Sequence, residues 1–445
     1  MNPLDLSLFG TDPWWLALIK VIIVVVLLLT WTIFNVWFER RLVGKMQHRL
    51  GPIMNGPFGL GQALADGLKL LFKEDFRPSK ADKVIFTLAP IIAGVCAFGA
   101  WAVIPLGGTV EIFGVTTKLQ VTDMPVAVLL ILAISSVAIY GFVLAGWSSN
   151  SPYSLLGAMR SSAQMISYEV AMGLSMVGVF LFSGTMSTSE IVDKQGAPFA
   201  PFGIDIGVQQ WYWFLLFPSF VVYAISMVAE TNRAPFDLIE CEQELVSGHL
   251  TEYSGFRYAI YFLAEYINMA TVSAVCTTLF LGGWHAPWPI NALIPAMDAG
   301  WWGLLWFFLK VQVLIGGFVW LRGTLPRFRY DQFMDLGWKW LIPISLVWIM
   351  LAGSMRWVFA HGGIATQAGF VIVAIIFGVL LVALVISLLL ERAADKPLVM
   401  PPAGPFNAFA GGYPVPPNDD EYLPEMAEVV TSEATAAEAP NGGQA

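Results

Sequence analysis

The sequence predicts an all-α, polytopic membrane helix bundle. It has about nine transmembrane helices, one amphipathic helix on the cytoplasmic side and a disordered C-terminal tail. Three observations predict this. The 445 residues are 57% apolar and 12% charged, with 18 Trp and 31 Phe, which is the composition of a membrane protein rather than of two or three soluble domains. Nine apolar runs reach the roughly 20 residues that a bilayer crossing needs: 15–38, 84–106, 124–147, 162–183, 212–230, 257–281, 302–322, 339–360 and 368–390. The segment joining the first two runs is polar, yet it carries a helical repeat.

The runs are bounded as spans should be. Trp14, Trp15, Trp147, Trp211, Trp213, Trp301, Trp302, Trp338 and Trp357 fall near their ends, where indole rings anchor at the membrane surface. The first run is too long for a signal peptide and lacks a small-residue cleavage site, so it is expected to be retained. Alternate connections (39–83, 148–161, 231–257, 322–339 and 391–445) hold 18 of the 23 Lys and Arg. The opposite side holds Lys118, Lys194 and Arg356, and Lys20 and Lys310 fall within spans. The positive-inside bias puts the first set in the cytoplasm, the N-terminus outside and the C-terminal tail inside. The expected location is the cell inner (plasma) membrane.

Within 39–83, Leu60, Leu64, Leu68 and Leu71 share one helical face, and Gln62, Asp66, Lys69 and Lys73 recur on another. Such a helix lies in the interface or against a partner instead of crossing. Residues 1–390 are the expected membrane domain, with a core at about 15–360 and an extra span at 368–390. Residues 391–445 are a Pro/Ala/Gly-rich acidic tail, which accounts for most of the formal charge of −9 and lacks the apolar content to bury a core.

Several chemistries are excluded for the chain alone. Cys96, Cys241 and Cys276 are far apart with no CxxC, so they form neither a disulfide framework nor an iron–sulfur site. There is no Walker A or GxGxxG pattern. Any electrons or nucleotide are therefore handled by another subunit. The four histidines (His48, His249, His285 and His361) show no metal-ligand spacing and read as loop residues.

What remains is charge where lipid should be. A bilayer penalises an ionised side chain by about 3 kcal/mol or more unless it is paired, hydrated or neutralised. Glu169 and Glu265 stand inside the fourth and sixth runs, about 10 and 12 Å from their cytoplasmic ends. Glu230 closes the fifth run, Pro235 is expected to end that helix, and Asp237 is placed to cap a new one carrying Glu240, Glu242 and Glu244. Most charge runs are solvated loops, but here Phe236, Leu238, Ile239, Leu245 and Val246 interleave the acids. A file of carboxylates tuned by burial and by one another is what proton transfer requires. Glu39, Arg40 and Arg41 end the first run, and Arg49 and Arg233 add basic partners; Arg40 and Arg41 alone would be a positive-inside stop. Lys20 is expected to snorkel outward. Lys310, far from the cytoplasmic end of its run, is expected to pair with a buried acid or sit in a wet cavity.

Two stretches carry a family resemblance. Glu39-Arg-Arg-x-x-Gly44-x-x-Gln47-x-Arg49-x-Gly51-Pro52, continued by Gly56-x-x-Gly59-x-x-Gln62-x-x-Ala65-Asp66-x-x-Lys69 and Lys73-Glu74, resembles the first cytoplasmic loop of the H-subunit family of proton-pumping NADH:quinone oxidoreductase (respiratory complex I). Ala229-Glu-x-Asn-Arg-x-Pro-Phe-Asp-Leu-x-Glu-x-Glu-x-Glu-Leu-Val246 is similar to that family's other signature. Ser167-Tyr-Glu169, Thr251-Glu-Tyr-Ser-Gly255 and Ala264-Glu-Tyr266 fit it too.

The resemblance implies a membrane subunit that forms much of a quinone chamber and couples quinone reduction to proton translocation. It implies Glu39, Arg40, Asp66, Lys69, Arg233, Phe236 and Asp237 at the chamber. It implies Glu169, Glu230, Glu240, Glu242, Glu244 and Glu265 on the proton route. Ubiquinone or menaquinone would be the substrate, with FMN and iron–sulfur clusters in partner subunits only. Implied partners are the peripheral-arm quinone-site and iron–sulfur subunits, neighbouring small membrane subunits and lipid, and no nucleic acid. The family core has eight spans, so the ninth and the tail are a departure that leaves both signatures intact. The alternatives are a related subunit of a membrane-bound hydrogenase or other quinone-reducing dehydrogenase, and a freestanding proton-coupled carrier. The carrier predicts an inverted internal repeat, which the sequence does not show.

Overall fold

The computed structural model describes residues 12–112, 114–198, 209–237, 246–288, 290–298, 300–360 and 378. These belong to one compact unit, Met1–Leu380. The expected ninth span and tail, and Glu240, Glu242 and Glu244, lie outside the described residues.

The fold is a helix bundle. Among the described residues, seven helical segments are long and apolar enough to cross a membrane. In chain order the elements are α1 (Trp14–Met46), α2 (Gly61–Phe72), α3 (Lys83–Gly99), a hairpin of β1 (Gly107–Ile112) and β2 (Val115–Leu119), α4 (Ala127–Ser148), α5 (Pro152–Ser183), α6 (Thr188–Gln195), α7 (Tyr212–Leu215), α8 (Phe217–Glu230), α9 (Gly255–Phe280), α10 (Trp302–Thr324), α11 (Tyr330–Asp335) and α12 (Ile342–Ala360). A π-helical turn, Leu336–Leu341, joins α11 and α12 into one crossing segment. Helix α9 is the most enclosed, with 67% of its apolar stretch buried, and the bundle is built around it.

Three elements depart from expectation. The fifth run is not one span: α7 breaks at Leu216, before Pro218, and α8 has 14 residues, about 21 Å at 1.5 Å per residue against a hydrocarbon core of about 30 Å. Helix α8 ends at Glu230 rather than at Pro235, because the backbone leaves the helical region at Thr231 and turns left-handed at Asn232, where φ is +51°. Helix α5 begins ten residues before the fourth apolar run, which places Glu169 about 25 Å from its first turn.

Three buried tyrosine hydroxyls inside the bundle find backbone partners, as a non-aqueous surrounding favours. Tyr168 Oη donates to Phe333 O at 2.8 Å, Tyr223 Oη to Val272 O at 2.9 Å and Tyr261 Oη to Gly141 O at 3.0 Å. Lys20 does reach past the end of the bundle, but to partners: Asp12 at 2.5 Å, Thr117 Oγ1 at 2.6 Å and Lys118 O at 2.9 Å, so it clamps α1 to the hairpin. Lys310 departs more. Its Nζ donates to Leu281 O, Gly283 O and His285 O at 2.6, 2.9 and 2.7 Å, and it lies 4.2 Å from the Trp211 ring centroid. It binds no carboxylate at hydrogen-bond distance among the described residues; three carbonyls of one turn hold it.

Candidate functional site

The site begins where α1, the turn after α8, α9 and α10 meet. Gln164 on α5 is buried and donates to Ala229 O at 2.7 Å and Phe236 O at 2.9 Å, so it fixes both ends of the turn that presents Arg233. From that turn Arg233 Nη1 donates to Glu39 Oε1 at 3.2 Å, and Nε stands 2.9 Å from Glu265 Oε1. Tyr266 Oη donates to Glu39 Oε2 at 2.7 Å, and its ring centroid lies 4.4 Å from the guanidinium carbon. Arg322 on α10 closes the cluster on Glu39. Two carboxylates and two guanidiniums balance. Glu39 is 4% exposed and Arg233 6%; at such depth an ion pair persists only with further hydrogen bonds, which Glu39 receives from Tyr266 and Arg322, whereas Arg233 Nη2 has no hydrogen-bond partner among the described residues. Burial opposes the charge on Arg233, but Glu265 and Glu39 outweigh it and hold its pKa above the ordinary arginine value.

Beyond Glu265 the carboxylates continue inward. Glu265 and Glu230 line one cavity of about 40 Å³, and Glu230 and Glu169 line a second of about 50 Å³. Thr231 and Asn268 face both. Glu230 Oε2 is buried without a protein partner among the described residues. Glu169 Oε1 accepts from Ser135 Oγ at 2.6 Å and Ser136 Oγ at 2.7 Å. At roughly 10–15 Å³ per water, each cavity has room for a few. Glu39, Arg233, Glu265, Glu230 and Glu169 thus form one file of ionisable groups, joined by direct ion pairs at one end and by small shared cavities at the other.

A second group lies beside α1. Arg40 Nη1 meets Asp66 Oδ2 at 2.6 Å, Gln62 donates to Asp66 Oδ1 at 3.0 Å and Asn55 to Gln62 at 2.8 Å. The polar face of α2 therefore turns toward α1, whereas Leu60, Leu64, Leu68 and Leu71 are exposed. Lys69 is exposed on the same helix. Phe236 is buried among Tyr168, Phe328 and Phe333, with its ring centroid 5.5 Å from that of Phe328, and Asp237 pairs with Arg327 at 3.1 Å; the helix it is expected to cap falls outside the described residues.

Sequence reasoning missed Arg322, counted only toward inside charge, and Ser135 and Ser136, which look like ordinary small residues in an apolar run. It also passed over His249, which lines the 40 Å³ cavity. Tyr266 stood in a quoted motif with no role attached. Among the described residues no cluster of three or more His, Cys, Asp or Glu is arranged to hold a metal.

A bundle of helices long and apolar enough to cross a membrane, with paired charges and carboxylates enclosed among them, defines a polytopic membrane protein. The chain belongs to the NADH dehydrogenase family, whose profile matches residues 19–353. It is similar to the NADH-quinone oxidoreductase H subunit of Cutibacterium acnes, 58% identical over 438 residues and covering 98% of each chain. It is also similar to the NADH-quinone oxidoreductase H subunit of Streptomyces avermitilis, 50% identical over 433 residues, 95% of this chain and 91% of the relative. The resemblance drawn from the two loop signatures holds along nearly the whole chain.

Proposed function

We propose that this protein is a membrane subunit of a proton-translocating NADH:quinone oxidoreductase, lines much of its quinone chamber, and couples quinone reduction to proton movement through its buried glutamates. The observation that carries this reading is the continuous file Glu39–Arg233–Glu265–Glu230–Glu169. It begins as an ion-pair cluster at the ends of α1 and α10 and continues into the bundle along two small cavities that the carboxylates line.

A quinone needs donors for two carbonyls and an apolar surface for its tail. Arg40, Lys69 and Arg233 supply donors near the end of α1, and the exposed leucine face of α2 supplies apolar surface, with the buried Phe236 packed behind Arg233 in the same turn. When the bound quinone is reduced it takes up protons, and the change of charge beside Arg233 and Asp66 alters the proton affinity of acids coupled to them. By resemblance Glu240, Glu242 and Glu244 belong to the same route. Flavin and iron–sulfur chemistry reside in partner subunits, and the quinone-site subunits of the peripheral arm cover the Arg40–Asp66 side.

The test is Glu230→Gln and Asp66→Asn in the assembled complex in native membranes. Each should lower quinone-coupled NADH oxidation and proton pumping at least about tenfold, while NADH oxidation by a soluble artificial acceptor stays unchanged. Normal quinone turnover and normal pumping in both variants would overturn the reading.

A further inference from the structure

His249 sits on a 3-10 turn, Gly248–Leu250, that is seated on the backbone of α5: a Cβ on Gly157 would lie 2.4 Å from Gly248 Cα. The ring is 2% exposed and stands edge-on to Phe142 and Tyr261, with centroids 5.0 and 5.4 Å apart. Packing of this kind would suit a phenyl ring equally well. What packing does not account for is the two ring nitrogens, neither of which has a hydrogen-bond partner among the described residues. Burial holds the ring's pKa down to about 3, so near neutral pH it offers one N–H donor and one acceptor.

Buried polar atoms are nearly always satisfied, by protein or by ordered water. Three residues facing the 40 Å³ cavity break that rule on protein contacts alone: His249 at both nitrogens, Asn232 at Oδ1 and Glu230 at Oε2. Asn232 also holds φ at +51°, a left-handed conformation an asparagine tolerates. Glu265, paired to Arg233, and the Tyr261 hydroxyl, which donates to Gly141 O, are the other ionisable groups on this cavity. The rest of the lining is largely apolar, but these groups offer water the polar partners it needs, and there is room for about three waters at roughly 10–15 Å³ each.

We propose that His249 anchors a short chain of water in this cavity, one ring nitrogen donating to water and the other accepting from it, and that protons pass along that water between Glu265 and Glu230. The step is a transfer in which one glutamic acid loses a proton and the other carboxylate gains it, so charge is conserved. His249 remains neutral throughout and acts as a positioning residue. This inference rests on the proposed proton route.

The test compares His249→Phe and His249→Gln in the intact complex in native membranes. Phe keeps the ring packing and removes both hydrogen-bonding atoms; Gln keeps one donor and one acceptor and does not titrate. The expected result is a loss of at least about tenfold in quinone-coupled turnover and pumping for Phe, with artificial-acceptor activity unchanged and most of the loss recovered by Gln. A Phe variant with normal turnover and pumping overturns the inference, as does a Gln variant as slow as Phe. If Phe does not assemble, a high-resolution density map of the wild-type complex decides: water bridging His249 to Glu230 or Glu265 supports the inference, and a dry cavity overturns it. Glu230→Gln and Glu265→Gln run alongside separate the two ideas. Their loss of function beside a normal Phe variant leaves the glutamate route standing without His249, whereas normal activity in both removes the route itself.

Discussion

Arg233 holds two carboxylates with two different nitrogens, Nη1 toward Glu39 and Nε toward Glu265, which a lysine ammonium on a flexible stem does not reproduce. Arg233→Lys is therefore expected to depress quinone-coupled NADH oxidation about tenfold or more, and Arg233→Met to lower stability because the half-buried Glu265 loses this ion pair and the buried Glu39 is left to Arg322 and Tyr266. Parallel assays with quinone and with an artificial acceptor, plus the yield of assembled complex, check both; a fully active Lys variant would remove Arg233 from the route. Lys310 makes the opposite prediction. Its three carbonyl acceptors and the Trp211 face give it a structural task, so Lys310→Met should lower the thermal midpoint and the yield of the complex, at about 1–3 kcal/mol per stranded group, yet leave turnover per assembled complex unchanged. At this scale the sequence displays the identities of the acids and bases and hides their pairings. Glu39 and Arg233 are 194 positions apart, and no local spacing announces that they meet. Lys310 was misread for a related reason: depth in an apolar run reveals that a charge needs partners, but not that backbone carbonyls supply them.

Helix α2 was legible almost to the residue, because its leucine and polar rows repeat with the helical period over 61–72. Which face turns inward was not. The polar row packs toward α1 through Asp66, and the leucines point away, an arrangement that suits lipid or a neighbouring subunit rather than this chain's own core. The loop that delivers α2 depends on Gly59, which has φ +77° and where a Cβ would lie 2.3 Å from Pro52 O. Gly59→Ala imposes both a left-handed conformation on an L-residue and a backbone clash. It is expected to displace α2 and separate Asp66 from Arg40, lowering quinone-coupled activity with little change in artificial-acceptor activity. A variant with normal quinone kinetics would show that the Arg40–Asp66 pair has no part in the chamber. Helix α8 shows where periodicity stops informing. Hydropathy gives one uninterrupted run over 212–230, whereas Pro218 and the break at Leu216 leave a helix of about 21 Å. A short helix brings its last residue, Glu230, inward to face both cavities; a full-length span ending at Glu230 would have carried that carboxylate toward the surface.

Across the molecule the hydrophobic pattern identified eight segments that the structure builds as helices, since runs of that length and apolarity have no other stable form in lipid. The hairpin of β1 and β2, short and of mixed polarity, left no such mark. Topology follows from charge. The connections 47–60, 73–82 and 325–329, with the cytoplasmic ends of α1, α2 and α10, carry the Lys and Arg excess, whereas the hairpin and α6 on the other side offer Lys118 and Lys194, both engaged. Lys118 pairs with Asp123 at 3.2 Å and Lys194 donates to Ser183 O at 2.5 Å. In the orientation that the charge bias predicts, the residues that must be translocated carry few positive charges, and Lys118 and Lys194 are occupied within the fold. With the N-terminus outside, as that bias predicts, the ion-pair cluster of the carboxylate file would lie at the cytoplasmic side, where NADH-oxidising partners would have to dock. Glu111 on β1 and Lys80 before α3 are both exposed and report the two faces. In otherwise cysteine-silent variants of the assembled complex, Glu111→Cys should react with a membrane-impermeant maleimide added to whole cells. Lys80→Cys should react only after the membrane is opened or in inside-out vesicles. The reverse pattern would invert the bundle, place the mouth of the file on the outer face, and leave the quinone-chamber assignment without a route to its electron donor.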